Sequence, residues 1–278
     1  MTHINKIAIE TLTGIKDATL ISHPDFAINR SVEVAAAVGR VMKTGEPYRL
    51  MENRIVRVLR GFFRISINLR EYRIAEGEAL YVGQKSVVEI LDYTPDTVVD
   101  LMGFTLSTKN ENINEEYLIG RENEPWMEEY FRLMYTISTT QQYDRQSVEH
   151  LLLSLHYHIV DRIESSHHPK GRREELFRLF IEQLNMHRGK HDLAFYAEKM
   201  NISPQYLSRL VVEESDTSAR DWINRAVTMQ AKLLLRSTQH SIEQIAEELN
   251  FSTTPYFCRF FKREVGTTAA QYRITQKL

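Results

Sequence analysis

The chain has 278 residues, a length typical of about two domains. Hydrophobic residues make up 42% and charged residues 26%, which excludes a disordered chain and a fibrous repeat. The net charge of -2 excludes a strongly basic protein, and the single cysteine, Cys258, excludes an intrachain disulfide and a zinc ribbon. No apolar run reaches the roughly 18 residues of a membrane helix, and the first residues lack a signal-peptide pattern. We therefore expect a soluble, cytoplasmic protein with no membrane partner.

Charge is distributed unevenly along the chain. Residues 172–278 hold 16 Lys and Arg against 13 Asp and Glu, a net charge of +3, and the rest of the chain carries -5. A mildly basic C-terminal segment permits contact with a nucleic acid. It does not establish one, because 13 acidic side chains would weaken non-specific attraction.

Residues 46–107 have the pattern of short strands. Residues 55–61 and 63–72 alternate apolar and polar side chains with the two-residue period of a half-buried sheet. Three further segments, 79–84, 87–91 and 98–106, are apolar and separated by turn residues. Short strands at this spacing predict a small barrel or sandwich. Its interior either fills itself with side chains or holds a ligand.

The period becomes helical between Pro125 and Glu164, where two apolar stripes indicate two helices. These helices could pack on the barrel, on each other or on a second subunit, so dimerisation and internal packing both remain open. The small and polar segment 165–173, which contains Pro169 and Gly171, predicts a linker. The chain after it reads as helical to the end.

The C-terminal segment contains an internal duplication. Residues 196–203 align with 245–252 at an offset of 49, and residues 207–210 align with 257–260 at an offset of 50. Each copy has the features of a helix-turn-helix: a small residue in a short helix, an asparagine suited to a left-handed turn, and a residue that can cap the next helix. Ser203 is the predicted cap in the first copy, with Ser252 or Thr253 in the second.

The second helix of each copy should carry polar side chains that face outward. An arginine at such a position can bind guanine and a glutamine can bind adenine in the major groove, although most such faces are merely solvated. We match each outward residue of the first copy to one residue of the second copy. The candidates for DNA binding are Gln205, Ser208 and Arg209, matched to Thr254, Cys258 and Arg259, together with Lys262 and Arg263.

Residues 172–278 resemble the DNA-binding domain of the AraC/XylS family of bacterial transcription regulators. The most specific part is residues 242–273, which read IEQIAEELNFSTTPYFCRFFKREVGTTAAQYR. The resemblance implies seven helices, with two helix-turn-helix units joined by a long helix at about Ala219–Arg236. It also implies that the two recognition helices enter successive major grooves, about one helical turn (~34 Å) apart.

This sequence departs from the family pattern at several positions. Asn201 and Asn250 stand where the family usually has glycine, and Ala269 and Ala270 where a proline is common. Residues 211–214 read VVEE, where the family prefers an aromatic residue followed by a basic one, whereas the second copy keeps Lys262 and Arg263. We therefore predict that the second unit makes more phosphate contacts and that the first docks weakly or reads few bases.

The N-terminal half could in principle be an enzyme, because cupin barrels also occur as metal enzymes. Such sites need His and carboxylate ligands inside the barrel, and no histidine lies between residues 24 and 149. His156 and His158, two apart on a helix, are read as structural. No phosphate loop, nucleophile motif or paired carboxylates appear. We expect no catalytic residue, metal or cofactor.

A ligand pocket is the alternative use of the barrel. The side chains that alternate from residue 64 to residue 72 could line a cavity and bind a hydroxylated or anionic small molecule, or could be the solvent side of an ordinary sheet. The candidate ligand-binding residues are Arg64, Asn68, Tyr72, Arg49 and Tyr81, with Arg57 and Glu89 as further candidates.

Together these patterns predict an α+β protein in three parts: a cupin-like sensory barrel over residues 1–111, a helical dimerisation and linker region over 112–168, and the DNA-binding domain over 172–278. The expected function is sequence-specific transcription regulation. The expected partners are double-stranded DNA, a small-molecule effector and a second copy of the chain, with RNA polymerase as a further one. Two alternatives remain: a cupin-type metabolic enzyme with an appended DNA-binding module, and a sequence-neutral architectural DNA binder. The +3 segment is weakly charged for the latter.

Overall fold

The computed structural model describes residues 6–7, 21–22, 26–38, 42–105, 116–119, 125–139, 144–166, 171–190 and 192–276. The chain divides into two compact units, an N-terminal unit over Lys6–His168 and a C-terminal unit that begins at Pro169. Of the predicted linker over 165–173, residues 165–166 and 172–173 lie in helices, and residues 167–170 lie outside the described residues.

The N-terminal unit is built mainly from strands. Its sequence is rich in Val, Ile and aromatic residues at alternate positions, which favours half-buried extended chain. The strands are β1 (Lys6–Ile7), β2 (Ile21–Ser22), β3 (Phe26–Glu33), β4 (Tyr48–Leu50), β5 (Asn53–Arg60), β6 (Phe62–Ile67), β7 (Arg70–Ala75), β8 (Ala79–Val82), β9 (Val87–Tyr93), β10 (Val98–Phe104) and β11 (Glu116–Ile119).

These strands form two separate sheets. The five-stranded sheet has the order β1-β4-β9-β6-β7, and the six-stranded sheet has the order β11-β8-β5-β10-β3-β2. All pairs are antiparallel except β1 with β4. Apolar side chains of both sheets, such as Val58, Ile65, Ile74 and Val88, form one buried core. The arrangement is a sandwich over the described residues.

The described part of this unit also contains the helices α1 (Val34–Ala37), α2 (Pro125–Thr139) and α3 (Arg145–Ser166). Phe131 and Met134 of α2 and Leu152 and Leu155 of α3 are buried in a second core with one face of the six-stranded sheet. That sheet is therefore covered on both faces. This explains why its strands alternate apolar and polar residues less strictly than the strands of a half-exposed sheet.

At Ser31, the side chains of strand β3 switch from one core to the other. This residue has a left-handed φ of 58°, and the pairing of β3 with β10 shifts register between Val99 and Leu101. Ile28, before the shift, belongs to the core under the helices, whereas Val32, after it, belongs to the core between the sheets. The extra residue is a β-bulge that lets one strand supply both cores.

The N-terminal unit differs from the sequence prediction in three further places. The expected cupin-like barrel is not closed, because the strands form two sheets. The segment 63–72 is not one strand but the hairpin β6–β7, since Asn68 and Leu69 adopt positive φ values of 47° and 75° in a two-residue turn. Such a turn preserves the alternation, so periodicity alone could not reveal it. The region 112–168, expected to be helical, also contains β11.

The C-terminal unit contains seven helices within residues 171–190 and 192–276, the number that the family resemblance implies. They are α4 (Arg172–His187), α5 (Leu193–Lys199), α6 (Pro204–Ser215), α7 (Ala219–Ser237), α8 (Ile242–Glu248), α9 (Thr254–Val265) and α10 (Ala269–Gln276). The long helix α7 packs against helices of both copies of the repeat. Its own residues Ala226 and Ala231 are buried there.

Candidate nucleic-acid interface

The first helix-turn-helix unit consists of α5 and α6. The chain leaves α5 through Asn201, which has a left-handed φ of 53°. The backbone N–H of Asn201 donates to the Glu198 carbonyl at 3.0 Å, and that of Ile202 donates to the Ala197 carbonyl at 3.0 Å. This pair of bonds is the Schellman pattern that ends a helix and turns the chain. An asparagine supplies the conformation that the family usually obtains from glycine.

The second unit, α8 and α9, repeats this geometry. Asn250 has a φ of 61°, and its N–H donates to the Glu247 carbonyl at 2.9 Å. The N–H of Phe251 donates to the Ala246 carbonyl at 2.9 Å. The predicted duplication is therefore a duplication of backbone hydrogen bonds, residue for residue at an offset of 49.

The caps of the two second helices fix the alignment beyond the turn. The Ser203 hydroxyl accepts from the Tyr206 N–H at 3.2 Å, and the Thr253 hydroxyl accepts from the Tyr256 N–H at 3.3 Å. Thr253, rather than Ser252, is thus the cap of α9. The two caps are 50 residues apart, so the extra residue of the second copy lies before the cap.

This alignment corrects two pairings of the sequence prediction, the first being that Ser203 matches Thr253 and not Ser252. Gln205 is the second residue after its cap, and its structural equivalent in α9 is Pro255, not Thr254. Thr254 is the first residue of α9 and is half-buried, whereas Pro255 is exposed. A proline has no side-chain donor or acceptor, so the second unit lacks the amide that Gln205 gives the first.

The two second helices bury one face and expose the other. Leu207, Leu210 and Val211 of α6 are buried, as are their counterparts Phe257, Phe260 and Phe261 of α9, as predicted. The candidate DNA-binding residues are exposed or half-buried. Exposed are Gln205, Arg209, Arg259, Lys262 and Arg263, and half-buried are Ser208, Thr254 and Cys258.

The ends of these two helices differ in charge. In the first unit, Glu213 and Glu214 both pair with Arg173 of α4, the second at 3.3 Å, so the three side chains carry a net charge of -1. The equivalent end of α9 carries Lys262, Arg263 and Glu264, a net charge of +1. Arg263 pairs with Glu264 at 2.6 Å. The basic residues expected for phosphate contacts at this end of the helix are therefore present in the second unit and absent from the first.

The candidate ligand-binding residues of the N-terminal unit do not converge on one place. Arg64 is exposed on β6, whose alternate residues Phe63 and Ile65 face the other sheet. Asn68 lies in the hairpin turn, where its side-chain oxygen accepts from the Val87 N–H at 2.9 Å.

The other three candidates lie in different surroundings. Arg49 donates to the Lys85 carbonyl at 2.9 Å, at an exposed position. Tyr72 packs against the core between the sheets. Tyr81 is fully buried on the opposite face of its sheet, under the helices, where its hydroxyl lies 3.3 Å from Nδ1 of His156 on α3. Burial raises the pKa of Tyr81 above its ordinary value and lowers that of His156.

Sequence reasoning missed a charged cluster on the face of the six-stranded sheet that α2 covers. We call it the sheet–helix ion cluster; its members are Arg30, Arg57, Asp100 and Glu128. The Asp100 carboxylate is fully buried, 3.1 Å from Arg30 Nε and 3.5 Å from Arg57 Nη2. Glu128 of α2 pairs with Arg30 at 3.1 Å and also with Arg57.

The bulge in β3 contributes to this cluster, because the N–H of Ser31 donates to the second Asp100 oxygen at 2.9 Å. Burial opposes the ionisation of Glu128, but Arg57 and Arg30 outweigh it and hold the pKa of Glu128 below its ordinary value. Arg57, a minor ligand candidate from the sequence, thus has two acidic partners. Glu89 is half-buried on β9, paired in register with Ser66.

Comparison with known proteins bears on the C-terminal unit. Residues 196–274 match a family described as a helix-turn-helix domain. The regulatory protein PocR of Salmonella typhimurium is 35% identical over 77 residues, which cover 28% of this chain and 25% of that protein. The arabinose operon regulatory protein of the same organism is 32% identical over 82 residues, which cover 30% of this chain and 28% of that protein. The C-terminal unit contains an AraC-type helix-turn-helix domain.

The chain spans about a quarter of the length of these two relatives, so the match describes the AraC-type domain and not the whole chain. Among solved structures, the C-terminal domain of AraT, a response regulator from Geobacillus stearothermophilus, is 32% identical. The match covers 37% of this chain and 80% of the AraT chain, with a TM-score of 0.30. The AraC-type domain is identified by the sequence matches.

Among the described residues, no three His, Cys, Asp or Glu side chains lie together as ligands of a metal ion would. No helix in the described part of the chain has the length and apolar character of a membrane span.

Proposed function

We propose that this protein is a sequence-specific DNA-binding transcription regulator that acts in the cytoplasm. The observation that carries the proposal is the duplicated helix-turn-helix, in which Arg209 and Arg259 occupy the same exposed position of two second helices. An arginine there can form two hydrogen bonds with a guanine edge in the major groove. A pair of such helices can read two successive grooves on one side of a duplex.

The two units contribute differently in this proposal. The second unit supplies most phosphate contacts through Lys262 and Arg263, because counterion release scales with the number of basic contacts. The first unit adds Gln205, Ser208 and Arg209 as base-reading groups, while Glu213 and Glu214 limit its attraction to phosphates. Thr254 and Cys258 remain candidates of the second unit, on the sides of α9 away from Arg259.

The N-terminal unit is proposed to be a cupin-like sensor that binds a small molecule, forms a homodimer, or does both. The buried contacts of α2 and α3 with the six-stranded sheet support the idea that a structural change in that sheet would be transmitted to these helices. Any effector would act only through its different affinity for two arrangements. The candidate contacts are Arg64, Asn68, Tyr72, Arg49 and Tyr81, at separate places in the N-terminal unit, so that an effector would engage only some of them. RNA polymerase is a further proposed partner.

The proposal is tested by the affinity of the full chain for two labelled duplexes at one fixed salt concentration. One covers the region upstream of the gene that encodes the chain, and the other is a scrambled duplex of equal composition. A preference of about a thousandfold or more supports a sequence-specific regulator. Equal affinity for both duplexes would contradict it.

A matched pair of variants sharpens this test. The double variant Arg209→Ala/Arg259→Ala should lose most of the preference, because both proposed guanine contacts are removed. Arg132→Ala changes an exposed arginine of the N-terminal unit and should leave the preference unchanged.

A further inference from the structure

Two exposed tyrosines occupy matching positions of the second helices. Tyr206 of α6 is 37% exposed and Tyr256 of α9 is 46% exposed. They are 50 residues apart, the same offset as the two caps, and each is the third residue after its cap. The two tyrosines therefore occupy equivalent places in the duplicated unit.

The helix period shows which side of each helix the tyrosines occupy. At about 100° per residue, Tyr206 lies about 60° around the helix from Arg209, and Tyr256 lies at the same angle from Arg259. The buried residues Leu207, Leu210 and Val211 centre on the far side. The arginines are therefore near the middle of the outward face, and the tyrosines are on one flank of it.

A flank position has a defined meaning for a helix in the major groove. The groove is about 12 Å wide, and a helix with its side chains is about 10–12 Å across. The middle of the outward face meets the base edges on the groove floor, and the flanks meet the groove walls. Those walls are the sugar–phosphate backbones, where tyrosine hydroxyls are among the usual donors to phosphate oxygens.

Local structure holds both tyrosines in place. Each tyrosine N–H is bonded to the hydroxyl of its cap, which fixes the first turn of the helix. The ring of Tyr256 also packs edge-on against Phe251 of the turn, with 5.6 Å between ring centres. A ring supported in this way presents its hydroxyl with little loss of side-chain entropy on binding.

We propose that Tyr206 and Tyr256 donate their phenolic hydroxyls to phosphate oxygens of the DNA backbone, one in each major groove. The inference rests on the proposed function and adds a contact that the two units share. It matters most for the first unit, because α6 has Val212 and Glu213 where α9 has Lys262 and Arg263. There the tyrosine is a neutral phosphate donor on a helix whose opposite end is acidic.

The hydroxyl is tested with Tyr206→Phe, Tyr256→Phe and the double variant of the full chain, on the upstream and scrambled duplexes. Each single variant should bind both duplexes about threefold to tenfold more weakly, the value of one hydrogen bond. The slope of log affinity against log salt should stay unchanged, because a neutral donor releases no counterion. Lys262→Ala, which removes a cation, should reduce that slope by about 0.9.

Tyr157→Phe is the matched control, since Tyr157 is a 55% exposed tyrosine of the N-terminal unit. It should leave affinity and slope unchanged. Unchanged affinity in the Tyr206 and Tyr256 variants, or a loss confined to the upstream duplex, would overturn the phosphate contact while the parent chain still discriminates the duplexes. A parent chain that binds neither duplex would overturn the proposed function itself, and the tyrosine contact with it.

Discussion

The charge difference between α6 and α9 leads to a prediction about salt dependence. Lys262 is exposed on the outward face of α9, and its equivalent in α6 is Val212, which is 44% exposed. Lys262→Ala removes a proposed phosphate contact from the second unit. Val212→Lys adds one to the first, at a position where the side chain already reaches solvent.

The magnitude follows from counterion release. Each basic contact with a phosphate contributes about 0.9 to the slope of log affinity against log salt. Over a fourfold change in salt, from 50 to 200 mM, this equals a factor of about 3.5 in affinity. Lys262→Ala should therefore weaken binding about 3.5-fold more at 50 mM than at 200 mM. Val212→Lys should strengthen it in the same ratio.

The assay is fluorescence anisotropy of the full chain with labelled upstream and scrambled duplexes at four salt concentrations. Both changes should be equal on the two duplexes, because a phosphate contact carries no sequence information. A slope that stays the same in Lys262→Ala would refute the assignment of phosphate contacts to the second unit. A loss found only on the upstream duplex would mean that Lys262 reads a base.

Three further predictions follow from the structure. Arg259→Ala should cost about 1–3 kcal/mol of binding to the upstream duplex and less on a scrambled one, whereas equal losses by anisotropy would indicate a phosphate contact. Asp100→Asn should lower the free energy of urea unfolding of the N-terminal unit by about 3 kcal/mol, because it leaves Arg30 and Arg57 with one carboxylate between them; a loss under about 1 kcal/mol would contradict a stabilising ion cluster. Burial lowers the pKa of His156 in the folded chain, so the unfolded chain binds this proton more readily, and stability present above about pH 6.5 should fall as pH falls through the folded pKa. Urea unfolding at pH 7.5 and 5.5 should show a smaller difference in His156→Gln, and an equal difference would refute the role of this histidine.

The C-terminal unit could be predicted from sequence because its determinants are local. A left-handed asparagine, a capping hydroxyl and buried residues at helical spacing all lie within about twenty residues of each other. Two pairings were wrong, Ser203 with Ser252 and Gln205 with Thr254, because the extra residue was placed after the cap instead of before it. Tyr206 and Tyr256 could also be identified from the repeat in the sequence, since they match at the offset that aligns the caps.

The N-terminal unit could be predicted only as a class, because its determinants are distant in sequence. Asp100 meets Ser31 across 69 residues, and Arg30 meets Glu128 across 98 residues. No local pattern identifies such partners, and an arginine on a strand reads the same whether it faces solvent or a buried carboxylate. The turn at Asn68 and Leu69 was hidden because two residues leave the alternation intact.

The most direct test of the central claim is a hydroxyl-radical footprint of the full chain on the upstream duplex. Two units that read successive major grooves should protect two windows on one face of the DNA, about 10 base pairs apart. Protection should be stronger in the window of the second unit, and Arg259→Ala should weaken protection there more than in the other window. A single protected window, or uniform protection along the duplex, would contradict the account.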